Sequence, residues 1–411
     1  MKRQSVTMAA VILCALASAC TQPPPSARPS TQVRTLTEQE VIDILVGSSI
    51  QSTRNSNTES MIRQAKALLA QGKKFTMVSA DDIPDDWNVV AAAGGVGGGG
   101  AWEHVVERTK GQNLPLVENT TVASAEALAK HLGVKWNAVI RNEAAGAMMG
   151  AFNSAIALGI PVVDACLAGR AKPELNLQVS FINGVSGSPA ALVTRWGDTI
   201  ILDKTVDDYR LEDLARAVAV SSGGGSSIAR NPMTGEEVKR GTIRGAVSEA
   251  MLFGRTVREA REQGKNPVDA LIKVADGVKL FQGVVKVATP RGERGFNWED
   301  AEIEGIGPYK GHTYKIFVKN ENIISWLDGK PDVLPPDLIY TLDPKTGDAI
   351  TSPRMGGYPL GMEVVIVGRA ASPMWRTAKG VELFGPRHFG FDLDFVPIEE
   401  MLKSRPRFEA N

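Results

Sequence analysis

Apolar residues recur at helical spacing and then in short strand-like runs along this chain, and the alternation begins at Leu36. In TEQEVIDILVGSS, Val41, Ile42, Leu45 and Val46 share one helical face. Thr37 is placed to cap that helix and Glu40 to complete a capping box. SMIRQAKALLAQGK reads as a second amphipathic helix ending at Gly72. KFTMVSA and IPDDWNVVAAA follow as strands, then a glycine cluster and a helical AWEHVVERTK. SAEALAKHLG predicts a helix closed by Gly133, WNAVIRNEAAG a strand with its loop, AMMGAFNSAIALG an apolar helix and IPVVDACLAG a buried strand. This order predicts an α/β fold: residues 36–175 form an N-terminal α/β/α layered domain with a mostly parallel sheet. Ligands of such sheets gather at the carboxyl ends of strands, which singles out the segments after Ala93, Arg141 and Val163.

Near residue 175 the texture changes. LNLQVSFINGVSG and AALVTRWGDTIILD are strand-like, and DDYRLEDLARAVAVSS is a helix running into Gly223–Gly225. Further helices are expected around 243–262 and from Pro267 to Ala275. Short β-patterned runs then predominate (LFQGVVKVAT, HTYKIFVKN, PDLIYTLD, EVVIVGRA) and suggest a small barrel or sandwich. Residues 176–399 are read as a C-terminal domain with helices and a β-barrel, and 400–411 as a tail.

The first residues carry a different signal. Lys2 and Arg3 precede an apolar stretch, Val6 to Ala17, too short to cross a bilayer as a helix. Small residues then lead to Ala17-Ser18-Ala19-Cys20. Residues 1–20 are read as a lipoprotein signal peptide, Cys20 as the lipidated residue and 21–35 as a Pro/Ser-rich linker. Ordinary secretory cleavage is the alternative, because Leu16 stands one position further from the cysteine than is usual. The expected address is export, with a lipid anchor in the cell-envelope membrane on the periplasmic side or the cell surface. Basic and acidic residues number 46 each, and no basic stripe with interleaved aromatics occurs, which argues against nucleic acid. A homo-oligomer is compatible with the sequence. Of the three cysteines, Cys14 leaves with the signal and Cys20 is lipidated, so Cys166 is a lone thiol.

Four segments in one order are recognisable: VVDACLAGRAKPEL (162–175), RAVAVSSGGGSSIARNPMTGEEVKR (216–240), PDLIYTLDPKTGDAI (336–350) and SPMWRTAKGVELFGPRHFGFDLDFVPI (372–398). Together with Asn320-Glu321 they resemble the S-methyl thiohydantoin desulfurase family, over about residues 36–399. The resemblance implies an α/β N-terminal domain, a C-terminal domain with a β-barrel, and conversion of an S-methylated thiohydantoin to a hydantoin with loss of methanethiol. The chain departs from the family pattern in three places. Val46-Gly47-Ser48-Ser49-Ile50 stands where a glycine run is usual, and Glu143-Ala144-Ala145-Gly146-Ala147-Met148 where the family has Glu-x-Gly-Gly-x-Asn. Asp164-Ala165-Cys166 replaces two aspartates flanking a small residue. These changes point to a different substrate or a lost activity.

Displacing a thiol from a hydantoin carbon needs an activated water or a nucleophile, and donors for the developing charge. Asp164, Cys166, Glu143 and His388 are the candidate catalytic residues. Arg170, Lys239 and the backbone of Gly223, Gly224 and Gly225 are the candidates for binding a small-molecule substrate. The four histidines form no His-x-His pair and no HExxH. Zinc or another divalent metal would therefore be held by Glu143, Asp164, Cys166 and Glu174. Each residue also has a plainer reading. Cys166 can be a small buried hydrophobe, Arg170 and Glu174 an ion pair within one turn, His388 a packing residue and Lys239 a solvated helix-end lysine. Two other functions compete with the hydrolase. One is a non-catalytic binder of a small ring compound with the same fold. The other is a dinucleotide-dependent oxidoreductase, because Gly95-Val96-Gly97-Gly98-Gly99-Gly100 satisfies GxGxxG between a strand and a helix, with Glu118 after it.

Overall fold

The computed structural model of the protein describes residues 31–53, 57–97, 100–350, 357–406 and 408. Cys20, the signal segment and most of the linker lie outside the described residues. The helices are α1 (Glu38–Gln51), α2 (Thr58–Ala70), α3 (Glu103–Thr109), α4 (Thr120–Leu132), α5 (Gly146–Leu158), α6 (Val179–Ile182), α7 (Asp208–Ser221), α8 (Gly235–Gly241), α9 (Ala246–Glu262), α10 (Pro267–Ala275), α11 (Ala378–Phe384) and α12 (Ile398–Met401). Helix α1 begins with both arms of the capping box that Thr37 and Glu40 predict. Proline at the first position of α10 and Asn266 as its cap fix that start equally clearly.

Nine strands form the first sheet: β1 (Arg34–Thr35), β2 (Thr76–Ser79), β3 (Asn88–Gly97), β4 (Ala138–Arg141), β5 (Val162–Cys166), β6 (Ala190–Thr194), β7 (Thr199–Leu202), β8 (Gly225–Thr234) and β9 (Ile243–Arg244). Their order is β1-β2-β5-β4-β3-β8-β6-β7, with β9 added to β5. Only the central run β2-β5-β4-β3 is parallel. The sheet is thus partly rather than mostly parallel, because β8 lies antiparallel beside β3 and brings β6 and β7 with it. It also continues well past residue 175, where the sequence texture changes. LNLQVSFINGVSG, expected as a strand, holds the one-turn helix α6 instead.

Alternation along the parallel strands builds the three layers. Val90, Ala92, Val139 and Val162 face α1, α2, α4 and α5. Val89, Ala91, Ala138, Ile140, Val163 and Ala165 face the opposite layer, which includes Val238 of α8. Leu211, Ala215 and Ala219 of α7 pack nearby on Leu192 and Ile228.

The second sheet contains β10 (Gly277–Ala288), β11 (Arg291–Glu293), β12 (Phe296–Gly305), β13 (Thr313–Lys319), β14 (Glu321–Leu327), β15 (Lys330–Val333), β16 (Leu338–Leu342) and β17 (Glu363–Arg369). It is antiparallel, in the order β15-β14-β13-β12-β10-β17-β16, and curves into a half-barrel around Val285, Ile303, Ile316 and Ile366. Helices α1, α9 and α10 join the two sheets: Ile50, Phe253, Val257 and Leu271 pack against Leu338, Tyr340 and Val365. The α1–α9 crossing needs glycine at two points. A Cβ on Gly47 would stand 1.7 Å from the carbonyl oxygen of Ala250, and one on Gly254 would stand 1.9 Å from that of Asp43. Among the described residues no helix is long and apolar enough to cross a membrane.

Candidate active site

Two adjoining cavities open where the first sheet meets the half-barrel. The outer one, of about 1080 Å³, lies between α1, α2, α9 and the start of α5. The inner one, of about 440 Å³, is lined by the end of β3, residues 172–175 and the β12 and β14 starts. Gly95, Glu143 and Glu321 line both. The carboxyl ends of β3 and β4 therefore open into the cleft, as the placement rule for α/β sheets leads one to expect.

Glu143 follows β4 and stands on the wall common to both cavities. Its Oε2 accepts the backbone N–H of Lys172 at 3.0 Å. Burial raises the Glu143 carboxyl above its ordinary range, against the opposing charges of Lys172, Arg230 and Arg216. Lys172 lines the inner cavity, and its Nζ donates to the carbonyls of Glu174 (2.8 Å) and Leu175 (3.1 Å). Burial, reinforced by the neighbouring Arg230 charge, brings the Lys172 ammonium down to about 7. A carboxyl pushed up and an amine brought down to about 7 thus line the same cleft, a combination suited to acid–base chemistry. Lys172 sits inside GRAKPEL, quoted above for the family resemblance. Its chemistry is invisible there because distant chain creates it: Arg230 comes from β8 and Glu212 from α7.

A second cluster stands behind the first. Glu174 Oε2 lies 2.9 Å from His388 Nε2, and its Oε1 accepts from Lys319 Nζ. Burial opposes the charge on Glu174, yet the His388 and Lys319 contacts prevail and hold the carboxyl down at about 2. Lys319 also sits 4.2 Å from the centre of the Phe296 ring. Arg216, stacked at 4.2 Å on the same ring, donates to the carbonyls of Gly97 (2.6 Å) and Pro173 (2.9 Å) and frames the inner cavity.

Several residues singled out in the sequence lie elsewhere. Asp164 Oδ1 accepts from the N–H groups of Val247 (2.8 Å) and Ser248 (3.0 Å), and Oδ2 from the Ser248 hydroxyl (2.5 Å); it caps the start of α9. Cys166 is fully buried, its Sγ accepting from the N–H groups of Gly169 (3.1 Å) and Ala168 (3.5 Å). Arg170 does not pair with Glu174. It is a buried strut that donates to Pro336 O at 2.6 Å and stacks on Phe384 at 4.3 Å, tying β5's loop to the C-terminal half. Burial lowers its guanidinium to about 10. Lys239 pairs with Asp85 at 2.6 Å on the exposed side of α8. Gly223 and Gly225 reverse the chain between α7 and β8, with the Gly223 carbonyl accepting from Arg195 (2.6 Å), and only Gly224 of the three lines the inner cavity.

The expected metal set, Glu143, Asp164, Cys166 and Glu174, does not converge. Among the described residues no group of three or more His, Cys, Asp or Glu side chains is placed to share an ion. The GxGxxG run has β3 before it and α3 after it, but Gly95 and Gly97 belong to β3 itself and pair with Ser227 and Gly225 of β8. A Cβ on Gly95 would meet the Ser226 carbonyl oxygen at 2.4 Å, so close strand approach explains that glycine. Glu118 is exposed in the turn before α4.

A partly parallel sheet joined by helices to a half-barrel, with Glu143 and Lys172 in the cleft between them, defines a two-sheet α/β protein. Residues 39–204 match the S-Me-THD-like N-terminal domain and residues 206–398 the S-Me-THD-like C-terminal domain. The chain belongs to the S-Me-THD-like family. Its fold is similar to that of a protein from Chromobacterium violaceum whose crystal structure was solved by the Northeast Structural Genomics Consortium. The TM-score is 0.69 at 19% identity, covering 89% of this chain and 100% of that one. No protein of curated function matches the chain.

Proposed function

We propose that the chain is a hydrolase that converts an S-methyl thiohydantoin, or a closely related cyclic amide, to the corresponding hydantoin with release of methanethiol. The observation that carries this reading is Glu143 on the wall common to the two cavities, with Lys172 beside it lining the inner one. Membership of the S-Me-THD-like family supports the choice of substrate class.

The Glu143 carboxylate takes a proton from water as its oxygen bonds to the ring carbon that bears the methylthio group. The ring nitrogen of the C=N bond receives a proton from the Lys172 ammonium. The C–S bond then breaks, methanethiolate regains the proton held on Glu143, and the new hydroxyl gives its proton to the Lys172 amine as C=O forms. Both side chains end as they began, and the sum is one water consumed and one methanethiol released. If Cys20 carries the predicted lipid anchor, this chemistry takes place at the envelope membrane.

The test is methanethiol release from S-methyl thiohydantoins, with a metal assay of the same sample. Glu143→Gln should lower kcat by at least about 100-fold with the fold intact. Activity should fall as pH rises past about 7, where Lys172 loses its proton. Activity that survives chelation supports the acid–base route, whereas activity lost to a chelator and restored by zinc would assign water activation to a metal. Binding of the ring without turnover would favour the non-catalytic binder.

A further inference from the structure

Helix α5 begins in the cleft wall without a side-chain cap, since its first flanking residue is Ala145. The N–H of Ala145 is taken by Ser48 (O at 3.1 Å, Oγ at 3.0 Å) and that of Met148 by the Ala145 carbonyl (3.0 Å). Gly146 and Ala147, the first two residues of this 13-residue helix, have no intrahelical acceptor for their N–H groups, and both line the outer cavity. The positive end of the helix dipole thus faces the cleft.

An independent observation falls on the same spot. Asn142 is 4% exposed and lines the inner cavity, and its Oδ1 is buried with no hydrogen-bond partner among the described residues. A buried amide oxygen without a donor is costly, and a ligand is one way to satisfy it. The amide lies beside Gly94, where no side chain stands between it and Ala147. A Cβ built on Gly94 would lie 3.8 Å from Asn142 Oδ1, 3.9 Å from its Nδ2 and 4.0 Å from the Ala147 Cβ. These are ordinary contact distances, and Gly94, which follows a bulge in β3, is not a positive-φ position, so neither space nor φ requires glycine there. What the missing side chain leaves is room at the junction of the two cavities, beside Glu143.

We infer that Gly94, Asn142 and the first turn of α5 form a subsite for the amide edge of a five-membered lactam ring. A lactam edge presents an N–H and a C=O side by side. The Asn142 carboxamide matches that pair, its oxygen accepting the ring N–H and its nitrogen donating to the ring oxygen. The N–H groups of Gly146 and Ala147, without acceptors inside the helix, are further donors for a ring carbonyl oxygen. The ligand class rests on the hydrolase reading; the geometry does not.

Hydantoin binding to the full-length chain, measured by calorimetry, tests the subsite, with Gly94→Ala and Asn142→Leu as variants and inorganic phosphate as competitor. Gly94→Ala adds a methyl at tolerated distances, so its thermal melt should match or exceed that of the parent, while hydantoin affinity falls at least tenfold. Asn142→Leu should weaken hydantoin similarly, and phosphate should not displace it. Parent-like binding by Gly94→Ala, no hydantoin binding by the parent protein, or displacement by phosphate would each overturn the assignment. If hydantoin binds and Gly94→Ala abolishes it, while no S-methyl thiohydantoin is turned over, the subsite stands and the hydrolase reading falls.

Discussion

Two carboxylate–cation clusters stand within one loop of each other, and they are tuned in opposite directions. Glu143 and Lys172 are both driven toward their neutral forms, because burial outweighs their mutual attraction. Glu174, two residues past Lys172, is driven toward its charged form, because His388 and Lys319 both contact it directly. The same residue types thus serve two ends. A group whose charge is unfavourable in the folded state can gain or lose a proton at neutral pH, and that suits catalysis. A carboxylate held by direct contacts from Lys319 and His388 cannot, and that suits a clamp between residue 174, β13 and the segment carrying His388.

The largest effect should come from breaking the clamp. Glu174→Ala leaves Lys319 and His388 buried without their shared anion, and removal of one partner from such a pair costs about 3 to 5 kcal/mol. Denaturant unfolding measures this directly. The pH dependence has a definite sign: a carboxyl whose folded value is lowered contributes stability above its unfolded value and loses it as pH falls. Glu174 should therefore give up about 3 kcal/mol as pH drops from 4.5 to about 2. Glu143 should behave oppositely, since its raised value means that its stabilising form is the protonated one, favoured below the ordinary carboxyl range and lost as pH rises. Glu143→Gln should therefore leave stability at pH 7 unchanged or higher while turnover collapses. If both variants destabilise equally, the division between clamp and reactive pair is wrong.

A smaller effect probes why the pair is tuned as it is. The thiol of Cys166 sits in a cradle of two backbone N–H groups that would suit a carboxylate, and the resembled family has aspartate here. Cys166→Asp would place a negative charge near Lys172 and favour its ammonium form. The alkaline limb of the pH–rate profile should move up by about one unit, equivalent to about 1.4 kcal/mol. An unmoved limb would mean that Lys172 is not the group that sets it.

Local signals in the chain were readable where local chemistry decides. Thr37 with Glu40 gave the start of α1, and Asn266-Pro267 that of α10. GSSIARNPMT did not read as a strand, because glycine, serine, asparagine and proline all disfavour one. Yet β8 forms there between β3 and β6 and turns the expected parallel sheet into a mixed one. The site was legible in part. Glu143 followed from its place after β4, whereas Glu174 and His388 were picked out separately and meet across 214 positions of sequence as clamp partners. Asp164 reads as reactive from its place at the carboxyl end of a strand, whereas its oxygens serve the start of α9, 83 residues on. Lys172 and Asn142 went unremarked because their burial, which makes them notable, is a property of the assembled cleft.

The smallest predicted effect concerns the hinge between the two clusters and the helix beside them. Ala145 has φ 67° and ψ −134°, a region that glycine occupies freely and alanine does not. The conformation is imposed from outside, as Ser48 of α1 holds the Ala145 N–H while β4 and α5 fix its two ends. It is also what turns the chain so that Glu143 and the first N–H groups of α5 face the same cleft. The resembled family carries glycine here, so this chain keeps the turn at a cost in backbone strain. Ala145→Gly should relieve part of that strain, offset by the greater freedom of glycine in the unfolded chain, for a net gain of about 1 kcal/mol. The gain should appear as a higher denaturation midpoint with an unchanged slope. Hydantoin affinity and the pH–rate profile should stay as they are, because the backbone path is the same. A loss of stability would show that the Ala145 methyl packs well enough to outweigh the strain, and that the turn is held by contacts on the side chain instead of by Ser48.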